Sequence, residues 1–345
     1  MLISLYLRNF RNYEEAEVHF SQQVNFIHGD NAQGKTNLLD AIYLLSTGKS
    51  FRTVHLSELI REGASFFYLQ AHFIKDTITQ TVTLSFDGLT RKMEYNNTCY
   101  NHFTNLLGLL PTVLLAPEDM ELITAGPGIR RRFLDIHIGQ LDPLYIYHLG
   151  RYAKALKQRN CLLKMRRQDG IESWEQILLQ SSLYIQKKRS ELIEALKDPS
   201  QKAMNWISQS KDSLELAYLP SLVHDYQKLR PKELSFGLTL AGAHRDDLQI
   251  LINQKECKIY SSQGQKRSAV IALRLAEWTH FQDMNESSPL LGIDDFGVHL
   301  DDTRNDLLLS RLPSFGQVFV TSPYLLKTHS YFSLQVESGL VKQLI

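Results

Sequence analysis

Apolar positions recur with two different periods along this chain, and the change of period divides it into three parts. Residues 2–7 and 16–20 alternate as strands do, joined by the polar turn Arg8-Asn9-Phe10-Arg11-Asn12-Tyr13. Val24-Asn25-Phe26-Ile27 is a short apolar run of the kind a buried strand uses, and residues 37–45 then switch to helical spacing. Residues 66–74, 79–86 and 91–95 carry β-branched and aromatic side chains in near alternation, with Asp87-Gly88 as a turn, and predict an antiparallel patch. Residues 110–115 read as one more buried strand.

From about residue 116 the period lengthens. Pro117-Glu118-Asp119 is a helix-start signal and Gly126-Pro127-Gly128 a break. Leu141, Tyr145, Leu149, Tyr152, Leu156 and Leu163 fall at three- and four-residue steps, as do Trp174, Leu178, Ile185, Leu192 and Leu196 after the turn Asp169-Gly170. This spacing predicts two antiparallel helices forming a short arm, too short for a long coiled coil. After residue 232 strand character returns at residues 234–240, 248–253 and 258–260, followed by a helix over 269–281. The expected organisation is an α/β head made of residues 1–115 and 233–345, with a mixed sheet and an antiparallel β patch, split by an inserted α-helical arm of residues 116–232.

Composition adds bounds. With 345 residues, 43% hydrophobic and 22% charged, the chain has the makeup of a soluble globular protein and no signature of disorder. A net charge of only +1 means that any nucleic-acid surface must arise from local patterning. Cys99, Cys161 and Cys257 are widely spaced and odd in number, which argues against disulfides or a zinc site and fits a reducing, cytosolic compartment. No apolar run approaches the ~18 residues a membrane span requires.

Candidate chemistry centres on Gly29-Asp30-Asn31-Ala32-Gln33-Gly34-Lys35-Thr36, which fits the phosphate-loop pattern G-x-x-x-x-G-K-[ST] between a predicted strand and a predicted helix. Gly29 and Gly34 allow the tight backbone path that turns N–H groups and a helix N-terminus toward phosphate oxygens. Lys35 is suited to the β- and γ-phosphates, and the Thr36 hydroxyl to Mg²⁺, which prefers oxygen ligands. The apolar run Leu290-Leu291-Gly292-Ile293 ends in Asp294-Asp295, where Asp294 can hold Mg²⁺ and Asp295 can orient an attacking water. Ser261-Ser262-Gln263-Gly264-Gln265-Lys266-Arg267 introduces a helix and so offers an anion-compatible N-terminus.

Charge in the arm is uneven. Arg130-Arg131-Arg132 is followed by Arg151, Lys154, Lys157, Arg159, Lys164, Arg166 and Arg167, then by Lys187-Lys188-Arg189. Such clusters attract phosphate backbone, and Tyr145, Tyr147 and Tyr152 can add stacking, although a solvated helix face has the same look. The segments Ser50-Phe51-Arg52-Thr53 and His244-Arg245-Asp246-Asp247 read equally as ligand contacts or as polar turns.

Taken together these motifs resemble the ABC-type ATPases of the SMC group, and within it the RecF family. The residues that carry the resemblance are Asn9-Phe10-Arg11-Asn12-Tyr13, the phosphate loop and its helix, Ser50-Phe51-Arg52-Thr53, Ala116-Pro117-Glu118-Asp119, Arg130-Arg131-Arg132-Phe133-Leu134-Asp135, Gln158-Arg159-Asn160, His244-Arg245-Asp246-Asp247, Ser261-Ser262-Gln263-Gly264-Gln265 and Asp294-Asp295. The resemblance implies ATP and Mg²⁺ as ligands, with Ser262, Gly264 and Gln265 as the signature loop that meets the nucleotide of a partner subunit. It also implies an ATP-dependent homodimer that acts as a clamp on gapped or single-stranded DNA. RecO and RecR would be partners in loading the RecA recombinase, and slow hydrolysis would reset the clamp. The same loop, signature and acidic strand also occur in transporter motor subunits, which need a membrane partner.

The chain departs from the family at Phe296-Gly297-Val298-His299-Leu300-Asp301, where only Leu300 and Asp301 of the usual Ser-Glu-Leu-Asp remain, a change that bears on hydrolysis and on coupling between sites. Ala243 stands in place of a proline. Gly292 interrupts an aliphatic strand and should weaken its packing.

Overall fold

A computed structural model describes residues 1–285, 288–297, 302–324 and 331–344. Its centre is a six-stranded sheet in the order Leu340–Leu344, Phe332–Glu337, Val24–His28, Val318–Ser322, Leu290–Ile293, Thr112–Leu115. The last five run parallel, and Leu340–Leu344 is antiparallel to its neighbour. Strands buried on both faces need no alternation, which is why these segments read as continuous apolar runs.

The sheet separates two cores, and its side chains go to them by turns. Phe26, Val113, Leu291, Ile293, Val318 and Val320 face one, while Ile27, Leu114, Leu290 and Phe319 face the other. Period-two side-chain direction dictates this division.

On the second side lies the helix Lys35–Thr47, held between the parallel sheet and an antiparallel sheet. That sheet has the order Tyr13–His19, Leu2–Phe10, Phe67–Lys75, Ile78–Phe86, Arg91–Tyr95, Thr98–Tyr100. With sheets on both flanks the helix is buried almost all round, from Leu38 to Thr47. Gly292 explains its close approach: a Cβ there would lie 2.9 Å from Leu39 Cδ1 and 3.0 Å from Leu114 Cδ1. The glycine is thus an adaptation to that helix, and the space a side chain would take is filled by Leu39.

The first core is formed with helices Gln263–Met284 and Ile171–Ile207. The latter packs along Pro143–Lys164, with the short loop at Gly170 between them, and these two antiparallel helices are the arm. Asp142 caps the first by accepting from Leu144 N and Tyr145 N at 3.0 and 3.2 Å, with Pro143 at the first helical position. A third helix, Pro127–Leu141, precedes them.

Three expectations for the strands need correction. Residues 234–240 do not form a strand: Tyr226–Phe236 is a helix, capped by Asp225 and closed by Gly237 at φ 67. The apolar alternation there was misleading because Phe236 and Leu238 point to solvent, 63% and 41% exposed. Residues 258–260 belong to the helical turn Cys257–Tyr260. Conversely, Leu214–Leu219, inside the stretch of helical period, is a strand and pairs with Asp247–Ile252, whose other neighbour is Lys255–Glu256. A boundary at residue 232 falls within helix Tyr226–Phe236.

The arm is fastened by buried ion networks. Arg159, fully buried, donates to Glu175 at 3.0 Å and Glu233 at 2.5 Å and to the Thr239 hydroxyl at 2.9 Å. Arg189 donates to Asp135 at 2.8 Å, Asp246 at 2.9 Å and the Ala243 carbonyl at 2.7 Å. Asp246 also accepts from Gln186, Tyr218 and Ser221 N, so the His244-Arg245-Asp246-Asp247 segment is chiefly an anchor.

Candidate nucleotide site

The phosphate loop joins the carboxyl end of the central strand Val24–His28 to helix Lys35–Thr47. Its path uses positive φ at Gly29 (148°), Ala32 (63°) and Gly34 (120°). The two glycines adopt this freely, whereas Ala32 in the left-handed region costs about 1 kcal/mol. Lys35 folds back over the loop and donates to the carbonyls of Gly29 and Asp30, both at 2.7 Å. Burial lowers its pKa, and the charges of Asp295, Asp294 and Asp30 oppose that shift.

The neighbouring strands bring the acids to this lysine. Leu290–Ile293 runs parallel to Thr112–Leu115, and Asp294 N donates to Leu115 O at 2.8 Å, so the strand ends together with the sheet. Thr36 Oγ1 donates to Asp294 Oδ1 at 2.9 Å, and Thr321 Oγ1 donates to the same oxygen at 2.7 Å. Asp295, at φ 50, donates its N–H to Thr321 Oγ1 at 2.9 Å. Burial pushes the Asp294 carboxyl up to about 6; Asp295 and Glu118 push the same way, and the two hydroxyls oppose them. A buried carboxylate beside a threonine hydroxyl, with hydroxyl partners alone, is a donor set that suits a hard divalent cation.

Of the residues around this site, Thr321, Ser338 and Gly339 carry no signal in the bare sequence. Thr321 sits at the end of the buried strand Val318–Ser322 and is joined to Asp294 only by sheet topology. Gln33, inside the loop, is braced from two distant places: its carbonyl accepts from Asn12 Nδ2 at 2.7 Å and Gly339 N at 3.1 Å, and its side chain accepts from Ser338 N at 2.5 Å. Asn37 donates to Asn12 Oδ1 at 2.7 Å and accepts from Arg52 at 3.0 Å. Tyr13 OH donates to Gly34 O at 2.9 Å. Ser50 is buried, donating to Asp40 Oδ2 at 2.8 Å, so its segment is part of the support of the loop helix.

Two hollows adjoin the site. A groove of about 650 Å³ beside the loop is lined by Arg11, Asn12, Asn37, Arg52, Glu58, Ile60, Arg61 and Glu62. A cavity of about 340 Å³ lies between the Asp294-Asp295 pair and helix Gln263–Met284, with Pro117, Met120, Val270, Ile271 and Phe296 among its walls.

The structure thus brings Lys35, Thr36, Asp294 and Asp295 together, and the signature residues stand apart. Ser262 is the exposed N-cap of its helix; its hydroxyl accepts from Gln265 N at 3.2 Å while Gln265 Oε1 accepts from Ser262 N at 2.9 Å. Gln265 Nε2 reaches Asp212 at 2.8 Å, and Gly264 packs near Arg304. The departures at Val298 and His299, and the retained Leu300 and Asp301, lie outside the described residues.

Arg130 is bidentate to Asp247 at 2.7 and 2.9 Å, and Arg131 donates to Asp246 O at 2.8 Å. Both are therefore engaged with the protein itself, and Arg132 lines a small cavity beside Glu118. Tyr145 and Tyr152 are buried, so of the three tyrosines expected to stack only Tyr147, 57% exposed, is accessible.

This pairing of a phosphate loop with a strand-end carboxylate, in a head interrupted by a helical arm, has close counterparts. A family model described as the RecF/RecN/SMC N terminal domain matches residues 1–329. The chain belongs to that family. It is 44% identical over 335 residues to the DNA replication and repair protein RecF of Protochlamydia amoebophila, covering 93% of each chain. The RecF proteins of Chlamydia caviae and Bacillus cereus are 36% and 35% identical, with 93% of this chain covered and 91% and 92% of theirs. The RecF-ATP structure, described as a recombination mediator protein in the RecFOR pathway, superposes with a TM-score of 0.90 at 33% identity, covering all of this chain and 97% of that one. An Smc head domain from Pyrococcus furiosus shares the fold, with a TM-score of 0.57 at 17% identity. Within this family the mixed sheet belongs to an ABC ATPase head, into which the helical arm is inserted. Among the described residues, no helix is long and apolar enough to cross a membrane.

Proposed function

We propose that this chain, a RecF-family protein of DNA replication and repair, binds ATP with Mg²⁺ at the phosphate loop and uses it to close a homodimer on gapped or single-stranded DNA. The observation that carries the reading is the Thr36–Asp294 hydrogen bond of 2.9 Å beside the buried Lys35. It joins the end of the loop to the acidic strand and forms a cation seat next to a phosphate seat. The relatives named RecF, and the RecF structure solved with ATP, support ATP as the nucleotide.

In this reading the backbone N–H groups of Asp30 to Thr36 hold the phosphates, and Lys35 exchanges its two carbonyl bonds for phosphate oxygens. Thr36 and Asp294 hold Mg²⁺, which neutralises phosphate charge when bound. Asp295 orients the attacking water, and Glu118 stands near enough to Asp294 to bias the same carboxylate. The groove beside Asn12, Asn37 and Arg52 takes the base and ribose. Ser262, Gly264 and Gln265 of one subunit complete the site of the other, because an exposed N-terminal serine with its helix dipole is suited to a γ-phosphate. Nucleotide bound better by the paired than by the separate subunits then drives association. Hydrolysis is slow and resets the pair, and RecO and RecR act as partners in RecA loading.

Sedimentation with and without ATP and Mg²⁺ tests this. The unaltered chain should shift from monomer to dimer, and Ser262→Ala should bind ATP as a monomer yet dimerise at least tenfold more weakly. Normal dimerisation by that variant would remove the signature from the partner's site.

A further inference from the structure

Helix Pro143–Lys164 has two unlike faces. Tyr145, Tyr152, Ala155, Arg159 and Leu163 are buried against the arm, and the one cation among them, Arg159, is fully paired with carboxylates. The opposite face carries Tyr147, Arg151, Lys154, Lys157, Cys161 and Lys164, which lie within an arc of about 140° at 100° per residue. Arg166 and Arg167 continue it in the loop beyond the helix end. Arg151 sits over the ring of Tyr147 at 5.7 Å. Lys154, Lys157, Lys164, Arg166 and Arg167 are exposed and, among the described residues, form no ion pair.

The fold pairs its more buried arginines closely. Arg130, Arg159, Arg189, Arg230 and Arg274 each meet a carboxylate within 3 Å. The one acid in the loop beyond the stripe is Asp169, and Glu172, at the start of the next helix, is held by Arg230 at 2.8 Å. Single unpaired lysines occur elsewhere on the surface, Lys92 and Lys255 among them, but here the unpaired cations line up along one helix face, and such a row suits a polyanion. From Arg151 to Lys164 the row is about 20 Å long at 1.5 Å per residue, the length over which one strand of duplex DNA shows about six phosphates.

We propose that this outer face of helix Pro143–Lys164, continued by Arg166 and Arg167, is a DNA backbone-binding track, with Tyr147 placed to stack on an unpaired base at its inner end. The role expected of Arg130-Arg131-Arg132 passes to these residues. The track reads no sequence, because lysine and arginine on phosphates fix position only. This deepens the DNA reading above and rests on it.

The test compares the full chain with ATP and Mg²⁺ against Lys154→Gln/Lys157→Gln, on a gapped duplex and on single-stranded DNA, across a salt series. Lys92→Gln/Lys255→Gln, exposed elsewhere, controls for the change in net charge. Each lost phosphate contact removes about 0.9 from the slope of log affinity against log salt, so the track variant should lose nearly two units of slope and bind about twentyfold more weakly at 200 mM salt. The control should match the unaltered chain, and all should dimerise with ATP alike. Cys161, exposed in mid-track, gives a second readout: a photo-crosslinker on its thiol, with Cys99 changed to Ser, should join to DNA and lose the adduct at high salt. An unaltered chain that binds no DNA overturns the DNA reading as well as the track. An unaltered chain that binds, beside a track variant of equal affinity and slope, overturns the track alone. Loss confined to association with a RecR protein would also overturn it and assign the face to an acidic protein surface.

Discussion

Arg189 and Asp294 are both charged and both almost wholly out of solvent, yet the fold treats them in opposite ways. Arg189 is met by Asp135, Asp246, the hydroxyl of Tyr145 and the Ala243 carbonyl, and Asp246 in turn is met by three further donors. Asp294 has two threonine hydroxyls and, beside it, the like charges of Asp295 and Glu118. The arm base is a closed electrostatic system; the nucleotide site is one short of cations. That contrast separates charges that hold the fold from charges that, in the reading proposed above, await a ligand, and burial alone would not have told them apart.

Removing the arginine from the closed system should have the largest effect. Arg189→Ala leaves Asp135 and Asp246 without their cation and should cost about 3–5 kcal/mol in urea unfolding, with ATP affinity of the folded protein unchanged. A cost below about 1 kcal/mol would break the comparison. Lys35→Ala should do the reverse: stability within about 1 kcal/mol of the unaltered chain, and ATP affinity in calorimetry lower by a hundredfold or more, as expected for losing two charge-assisted bonds at about 1.5–3 kcal/mol each.

Asp294 sharpens the contrast through pH. Its carboxyl titrates near 6 in the fold against 3.8 in the unfolded chain, so the native state keeps its proton longer. The stability this lends is present in full below about 3.8 and is lost as pH rises through about 6. The difference of about two units amounts to at most about 3 kcal/mol. Without nucleotide, Asp294→Asn should therefore unfold at higher urea than the unaltered chain at pH 7, and the two should converge only as pH falls below about 3.8. ATP and Mg²⁺ should reverse the ranking at pH 7. The smallest effect belongs to the loop backbone: Ala32→Gly removes a left-handed alanine and should change stability by less than about 1 kcal/mol while ATP binding persists.

Local patterns made the phosphate loop, its strand and helix, the arm helices and the Asp294-Asp295 strand end legible, because each is defined by neighbours in sequence. Thr321, Ser338 and Gly339 were not legible, since only the sheet order brings them to the loop; Asn12 stood in a quoted motif, but its contact with Gln33 did not show there. The strand expected at residues 234–240 failed for a related reason: apolar alternation says nothing of which side chains stay in solvent, and Phe236 and Leu238 do. Charge runs were legible as charge only. Arg130 and Lys154 look alike in the sequence, and the carboxylate of Asp247 across the fold is what distinguishes them.

The sheet order also has a consequence for timing. The central strand Val24–His28 is made long before both its neighbours, Val318–Ser322 and Phe332–Glu337, Asn25 and Val318 being 293 positions apart. The antiparallel sheet of the first hundred residues can pair locally, whereas the strand that carries the phosphate loop must wait with both edges open until those neighbours are made. During that interval an apolar edge is available to other nascent chains. Slow synthesis or a truncated product should therefore do most harm through aggregation of the amino-terminal part, before any nucleotide site exists to be saturated.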